Sequence, residues 1–190
     1  MSRRSLTVDP ILPANKSFFI PTVPQQPKCR VGYESVGSAC FAVKALPNGG
    51  GTWSDAQSFC SQTEGTRLAT IMDNVENSYV HIELARRANF VNTTRAWIGM
   101  KSQTTNGTGG LSWESGCTTR YNHLTNFLAG SPDGTVTCAA MDYGGPWRTQ
   151  SCADKNEYVV CETRDRKYRW TTAEFCGFFF RSTCRRRRKT

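Results

Sequence analysis

Nine cysteines in 190 residues are the side chains with the most chemistry to offer. A cysteine can bind metal, attack a substrate or form a disulfide, and spacing separates these uses. No two cysteines stand three apart, and the only histidines are His81 and His123. The tight Cys/His pairs of a structural zinc site are therefore missing. Disulfides, and with them an oxidising compartment, are what this count predicts. Three Asn-x-Ser/Thr triplets agree, at Asn15, Asn92 and Asn106. Asn92 and Asn106 lie inside the cysteine-rich stretch and are expected to carry glycans.

Catalytic chemistry finds little support. A Ser/His/Asp site needs a histidine beside a nucleophile, and both histidines are read as surface or satisfied polar groups. The acidic residues are scattered and form no facing carboxylate pair of the kind glycoside hydrolysis requires. The run Asn48-Gly49-Gly50-Gly51 lacks the Lys and Ser/Thr of a phosphate-cradling loop. No residue is assigned a catalytic role, and the chain is read as a recognition module.

The formal charge of +9 is unevenly spread. Residues 1–28 hold four basic groups against one acidic, residues 29–161 ten against eleven, and residues 162–190 ten against three. The ends are basic and the middle is near neutral, which argues against a specific nucleic-acid reader. The closing run Arg185-Arg186-Arg187-Arg188-Lys189 is a candidate polyanion contact. No segment is long and apolar enough to be read as a membrane span. No secretory leader is visible either, because prolines break the first 27 residues. An incomplete N-terminus, or a longer precursor, would reconcile this with the disulfides of a secreted, extracellular protein.

The elements that must position these groups follow from pattern. Residues 1–28 read as a Pro-rich, poorly ordered lead. The stretch from Cys29 to Cys40 reads as a short hairpin, Gly32–Ser35 leading to Ala39–Val43. Thr52 can cap a helix beginning at Trp53, with Ala56, Phe59 and Cys60 at helical spacing and Gly65 as its stop. Leu68–Ile71 reads as a short strand. A second helix is expected from about Asn74 to Asn89, its apolar face drawn from Val75, Tyr79, Ile82 and Leu84. Ala96–Met100 reads as a strand, followed by a long polar loop region anchored by Trp113, Tyr121 and Phe127. Thr137–Met141 and Tyr158–Cys161 close the domain. Strands and helices in this order imply an α+β domain over residues 29–162, with a basic, Phe- and Cys-containing tail over 163–190.

Several short motifs occur in a telling order: Trp53-Ser54-Asp55-Ala56-Gln57-Ser58-Phe59-Cys60, Leu68-Ala69-Thr70-Ile71, Glu76-Asn77, Trp97-Ile98-Gly99, then Cys138, Cys152 and Cys161. This set closely resembles the C-type lectin-like domain over residues 29–162. The resemblance implies two helices, small antiparallel sheets and a long loop region. It also implies three disulfides, Cys29–Cys40, Cys60–Cys161 and Cys138–Cys152, the first marking the long form of the domain. Cys117, Cys176 and Cys184 are left over. Cys176–Cys184 is the local pairing, while Cys117 is open to a tail cysteine, another chain or a free thiol. Trp97 and Trp113 are read as core rather than as sugar-stacking platforms.

Sugar-binding members of the family usually hold sugar through a calcium ion, which wants six to eight oxygen ligands. The resemblance places that site at a Glu-Pro-Asn or Gln-Pro-Asp triplet, at a Glu two residues before the next cysteine, and at an Asn-Asp pair after a tryptophan. Here those places hold Ser131-Pro132-Asp133, Val136, and Arg148-Thr149 after Trp147. The family implies a cis bond before Pro132. Of the side-chain ligands Asp133 alone is sound, and Arg148 is its expected partner. The remnant ligand site is thus Ser131, Asp133, Arg148 and Thr149, with no metal or cofactor expected and a protein or glycan as ligand. Calcium-dependent sugar binding by a degenerate site is the alternative, and polyanion binding through the tail is a reading of another class.

Overall fold

The computed structural model describes residues 27–37, 39–88, 94–105, 108–116, 126–129, 131 and 137–164. Residues 1–26 of the lead, residues 165–190 of the tail, Asn92, Asn106, Cys117, Tyr121, His123, Pro132, Asp133 and Val136 lie outside the described residues, Cys176 and Cys184 with the tail. Thr163 and Arg164, read as tail, belong instead to the last strand of the domain. Among the described residues the strands are β1 (Glu34–Val36), β2 (Ala39–Ala45), β3 (Arg67–Leu68), β4 (Arg95–Thr105), β5 (Thr108–Trp113), β6 (Thr137–Asp142), β7 (Trp147–Ser151) and β8 (Tyr158–Arg164). The helices are α1 (Trp53–Ser61) and α2 (Asn74–Arg87).

The sheet runs β1-β2-β8-β4-β6-β7, with β3 added on β8 and β5 on β4. All pairings are antiparallel except β4 with β8. Strand β2 is buried from Ala39 through Val43. A strand covered on both faces reads as a continuous apolar run rather than an alternating one. β8 is its partner along the whole of its length, from Ala39 opposite Arg164 to Ala45 opposite Tyr158. β7 stands at the far edge, which suits its polar sequence.

Each face of the sheet carries a core. On one, Ile98, Met100, Trp113 and Trp147 join Val80 and Leu84 of α2. On the other, Trp97, Cys138, Val159 and Cys161 join Trp53, Ala56 and Cys60 of α1. The motif Trp97-Ile98-Gly99 is legible in these terms. Alternation sends Trp97 to one core and Ile98 to the other, both fully buried. Gly99 lies where β4 passes closest to the backbone after β3: a Cβ there would stand 2.9 Å from Ala69 O. Only glycine admits that approach, and the Gly99 N–H donates to Ala69 O at 2.8 Å.

Both helices begin on side-chain caps. Thr52 and Asp55 exchange the reciprocal bonds of a capping box at α1, and Asp73 accepts from the Glu76 N–H at α2. Hydrogen bonds from Thr52 hold the Asp55 carboxyl below its ordinary range. The inner face of α2 differs from its expected one. Val80 and Leu84 are buried, but Val75 and Ile82 are exposed at 64% and 49%. Glu76 takes the inner position instead, where its carboxylate accepts from the Met72 N–H at 2.7 Å. Helical spacing allows either stripe, and the satisfied carboxylate makes the polar choice affordable. Two strands also stand where none was expected. β5 pairs with β4 inside the region read as loop, and β7 carries the Trp147 segment. The strand expected at Leu68–Ile71 is confined to Arg67–Leu68, since Ala69 turns to bond with Val160 and Gly99.

The three implied disulfides are formed, Cys29–Cys40, Cys60–Cys161 and Cys138–Cys152. They fasten the N-terminal hairpin, α1 to β8, and β6 to the turn after β7.

Candidate ligand site at the β6–β7 edge

β6 and β7 form a hairpin in register, with Met141 opposite Trp147, Ala140 opposite Arg148 and Cys138 opposite Gln150. Its turn is tight. The Asp142 N–H donates to Pro146 O, the Gly145 N–H donates to Asp142 O, and Gly145 adopts a φ of 94°. The His81 ring fills the space beside it, so a Cβ on Gly145 would lie 3.1 Å from His81 Cγ. His81 is half-buried against this turn.

Trp147 anchors the hairpin. Its ring is fully buried, stands edge-on to Trp113 and Phe127 at centroid distances of 5.5 Å, and donates from Nε1 to Asn77 Oδ1 at 2.8 Å. The short stretch 126–128 lies along the open edge of β7. Trp147 N–H donates to Asn126 O, Leu128 N–H donates to Trp147 O, and Asn126 Nδ2 donates to Gly145 O. The edge is thereby covered. This course brings Ser131 beside Thr149, whose N–H and hydroxyl both lie 3.3 Å from Ser131 Oγ.

Alternation along β7 puts Arg148 and Gln150 on the face opposite Trp147. Arg148 donates from Nε to both oxygens of Asp142 at 2.7 Å, and its Nη2 also bonds Asp142 Oδ2. Arg95 of β4 donates from Nε to the same carboxylate at 3.0 Å. Two guanidiniums, each about one-third exposed at 35%, thus share one carboxylate exposed at 14%. The cluster keeps one uncompensated positive charge. Arg95 Nη1 reaches Gln150 Oε1 at 3.5 Å, and Gln150 Nε2 donates to Asn156 Oδ1 at 3.2 Å. Asn156 is itself fixed through its backbone, paired both ways with Gly51, whose carbonyl also accepts from Trp97 Nε1.

Of the expected site residues, Ser131, Arg148 and Thr149 come together here, on two faces of one strand. Asp133 and Pro132 lie outside the described residues, so the expected Asp133–Arg148 pair is not tested; among the described residues Arg148 is held by Asp142. Among the described residues no three His, Cys, Asp or Glu side chains cluster as a metal site. Asp142, Arg95, Gln150 and Asn156 were not among the expected site residues. The signal for one of them was present: once 147–151 is read as a strand, period two places Gln150 on the same face as Arg148. Arg95 and Asp142 come together only through the β4–β6 register, which places them opposite each other.

The family model for the lectin C-type domain matches residues 50–163. The chain belongs to the C-type lectin family. The lectin domain is 27% identical over 138 residues to regenerating islet-derived protein 3-beta of Mus musculus, covering 69% of this chain and 75% of that relative. It is 28% identical over 135 residues to the snaclec dabocetin subunit alpha of Daboia siamensis, covering 69% and 80% respectively. The crystal structure of human lithostathine shares the fold with a TM-score of 0.58 at 20% identity, covering 73% of this chain and 92% of that one. Every residue of the arginine cluster lies within the matched span.

Proposed function

We propose that residues 29–162 form an extracellular recognition domain that binds a protein or glycan ligand without calcium at the family's usual sugar site. The observation that carries this reading is the state of Arg148. Where the family resemblance calls for an amide or carboxylate ligand after the tryptophan, this chain has a guanidinium bound to Asp142. A fixed cation there repels a second one. Thr149 and Ser131 contribute hydroxyls that already lie against each other. Ligands of this kind do not make a calcium shell. Three disulfides support an oxidising, extracellular setting. No helix among the described residues is long and apolar enough to cross a membrane. A fixed, hydrogen-bonded polar surface on a rigid sheet suits recognition rather than catalysis.

A glycan array probed with the full chain, once in calcium and once in chelator, tests this reading. Binding that is unchanged by chelator is the expected result. Sugar binding that vanishes with chelator would restore calcium-dependent recognition by a degenerate site.

The tail supports a separate activity. Residues 162–190 carry ten basic against three acidic groups, whereas residues 29–161 are near neutral. Removing residues 165–190, which leaves β8 whole, is expected to abolish retention on heparin at physiological salt. Retention unchanged by truncation would place the polyanion contact on the domain.

A further inference from the structure

We propose that the arginine cluster at the β6–β7 edge is a binding site for a carboxylate-bearing glycan. The inference rests on the reading above that ligand is bound without calcium at this end of the sheet, and it names the ligand class.

The first observation is charge held in fixed geometry. Arg95 and Arg148 grip one carboxylate, so their planes are set and their rotamer freedom is already lost before any ligand arrives. A guanidinium carries five N–H groups. The bonds to Asp142 and Gln150 occupy two on each arginine, which leaves several donors on groups that remain about 35% exposed. The cluster is one positive charge in excess. It already seats a carboxylate between its arginines, and a second carboxylate on their open sides completes the neutralisation with bidentate geometry.

The second observation is independent. Arg95, a pure donor, turns Gln150 Oε1 toward itself, and this turns Gln150 Nε2 toward Asn156. Asn156 must then present Oδ1 to Gln150, and its Nδ2 is left without a partner although the residue is only 5% exposed. The Nδ2 donor is enclosed, so its cost holds the chain Arg95–Gln150–Asn156 in one orientation rather than offering a contact, and the donors open to a ligand are those of the two guanidiniums. Donors set beside amides match a sugar acid, whose carboxylate stands among hydroxyls. A protein partner would look for aromatic or aliphatic anchors beside the arginines. The large apolar residues that remain exposed among the described ones are Val31, Val75 and Ile82, none of them on β4, β6 or β7.

The test is titration of the full chain, in chelator and again in calcium, with a sialylated trisaccharide, its neutral asialo counterpart, a sulfated sugar and an acidic peptide. The acidic sugar is expected to bind at least about tenfold more tightly, and its affinity to fall as salt rises. Arg148→Gln and Arg95→Gln are each expected to weaken binding about tenfold, the effect of losing one charge-assisted bond. Arg148→Lys, which keeps the charge but not the fork, is expected to fall between wild type and Arg148→Gln, and it decides the matter should Arg148→Gln fail to fold. Replacing Arg185–Arg188 with Gln should leave the affinity intact. Equal binding of the neutral sugar would overturn the proposal, as would no binding of either sugar, indifference to both arginine substitutions, loss of binding with the tail substitution alone, or an equal preference for an acidic peptide or a sulfated sugar. Chelator-insensitive binding that ignores the arginines would sink this inference alone. Arginine-dependent binding that also needs calcium would instead sink the calcium-free reading.

Discussion

Replacing Cys60 and Cys161 together with alanine is expected to destabilise the domain by about 4–5 kcal/mol, the largest effect of any disulfide in it. The bridge closes 101 residues of chain, against 14 for Cys138–Cys152 and 11 for Cys29–Cys40. In the chain-entropy description a cross-link stabilises by restricting the unfolded chain, and the restriction grows with the logarithm of the loop. The same logarithm makes the Cys29–Cys40 bridge worth about 2 kcal/mol less. Position reinforces length. Both half-cystines are about 1% exposed, and they join α1 to β8, the strand that pairs with β2, β3 and β4. Substituting both partners avoids a buried lone thiol that would exchange with other disulfides. Denaturant midpoints of the two double variants provide the check. A loss below about 1 kcal/mol for the long bridge, or a larger loss for the short one, would contradict this assignment of roles.

Trp97→Ala is expected to cost about 3–5 kcal/mol, the range for emptying a fully buried aromatic site. Trp97 is 0% exposed, belongs to the core that β4 shares with Trp53, Ala56 and Cys60 of α1, and donates to Gly51 O at 2.8 Å. The lost indole therefore opens a cavity and also releases the loop that holds Gly51 against Asn156. Trp97→Phe separates the two effects. It retains much of the volume but leaves the Gly51 carbonyl with one donor fewer, so a loss of about 1–3 kcal/mol is expected. Ile82→Ser on the exposed side of α2 serves as the contrast and should fall within about 0.5 kcal/mol of wild type. Thermal or urea unfolding of the three variants reads out the order. Trp97→Ala no worse than Ile82→Ser would show that this ring is not core.

What made the fold legible in the sequence was local and strongly constrained. Thr52 before Trp53 marks a helix start because a hydroxyl there satisfies an orphan N–H, and α1 begins at that residue. Trp97-Ile98-Gly99 marks a strand between two cores, with glycine where backbones touch. The elements that escaped lack such signals. β5 is Thr-Gly-Gly-Leu-Ser-Trp, and two glycines in a strand read as loop until β4 supplies its hydrogen bonds. β7 is polar because it stands at an edge. The face of α2 misled for a related reason: Val75 and Ile82 are apolar yet exposed, whereas Glu76 is buried because the Met72 N–H waits for it.

The ligand site divides in the same way. Departure from the family's calcium pattern, on which the proposed calcium-free reading rests, is read from the sequence residue by residue, with Val136 and Arg148 where the resemblance implies ligands. The partner of Arg148 was not visible. Asp142 lies six residues away across a hairpin turn, and Arg95 lies 47 residues before it in sequence. Their meeting depends on the β4–β6–β7 register, which no local pattern specifies.

The central claim, recognition without calcium at the usual sugar site, meets its most direct test in calorimetric titration of the full chain with millimolar calcium, run beside the Asp133→Ala variant. The account predicts identical heats for the two proteins, because Ser131, Val136, Arg148 and Thr149 leave Asp133 without companions as a ligand. A binding isotherm present in the wild type and lost in Asp133→Ala would show that backbone carbonyls and water complete the shell, and it would contradict the claim.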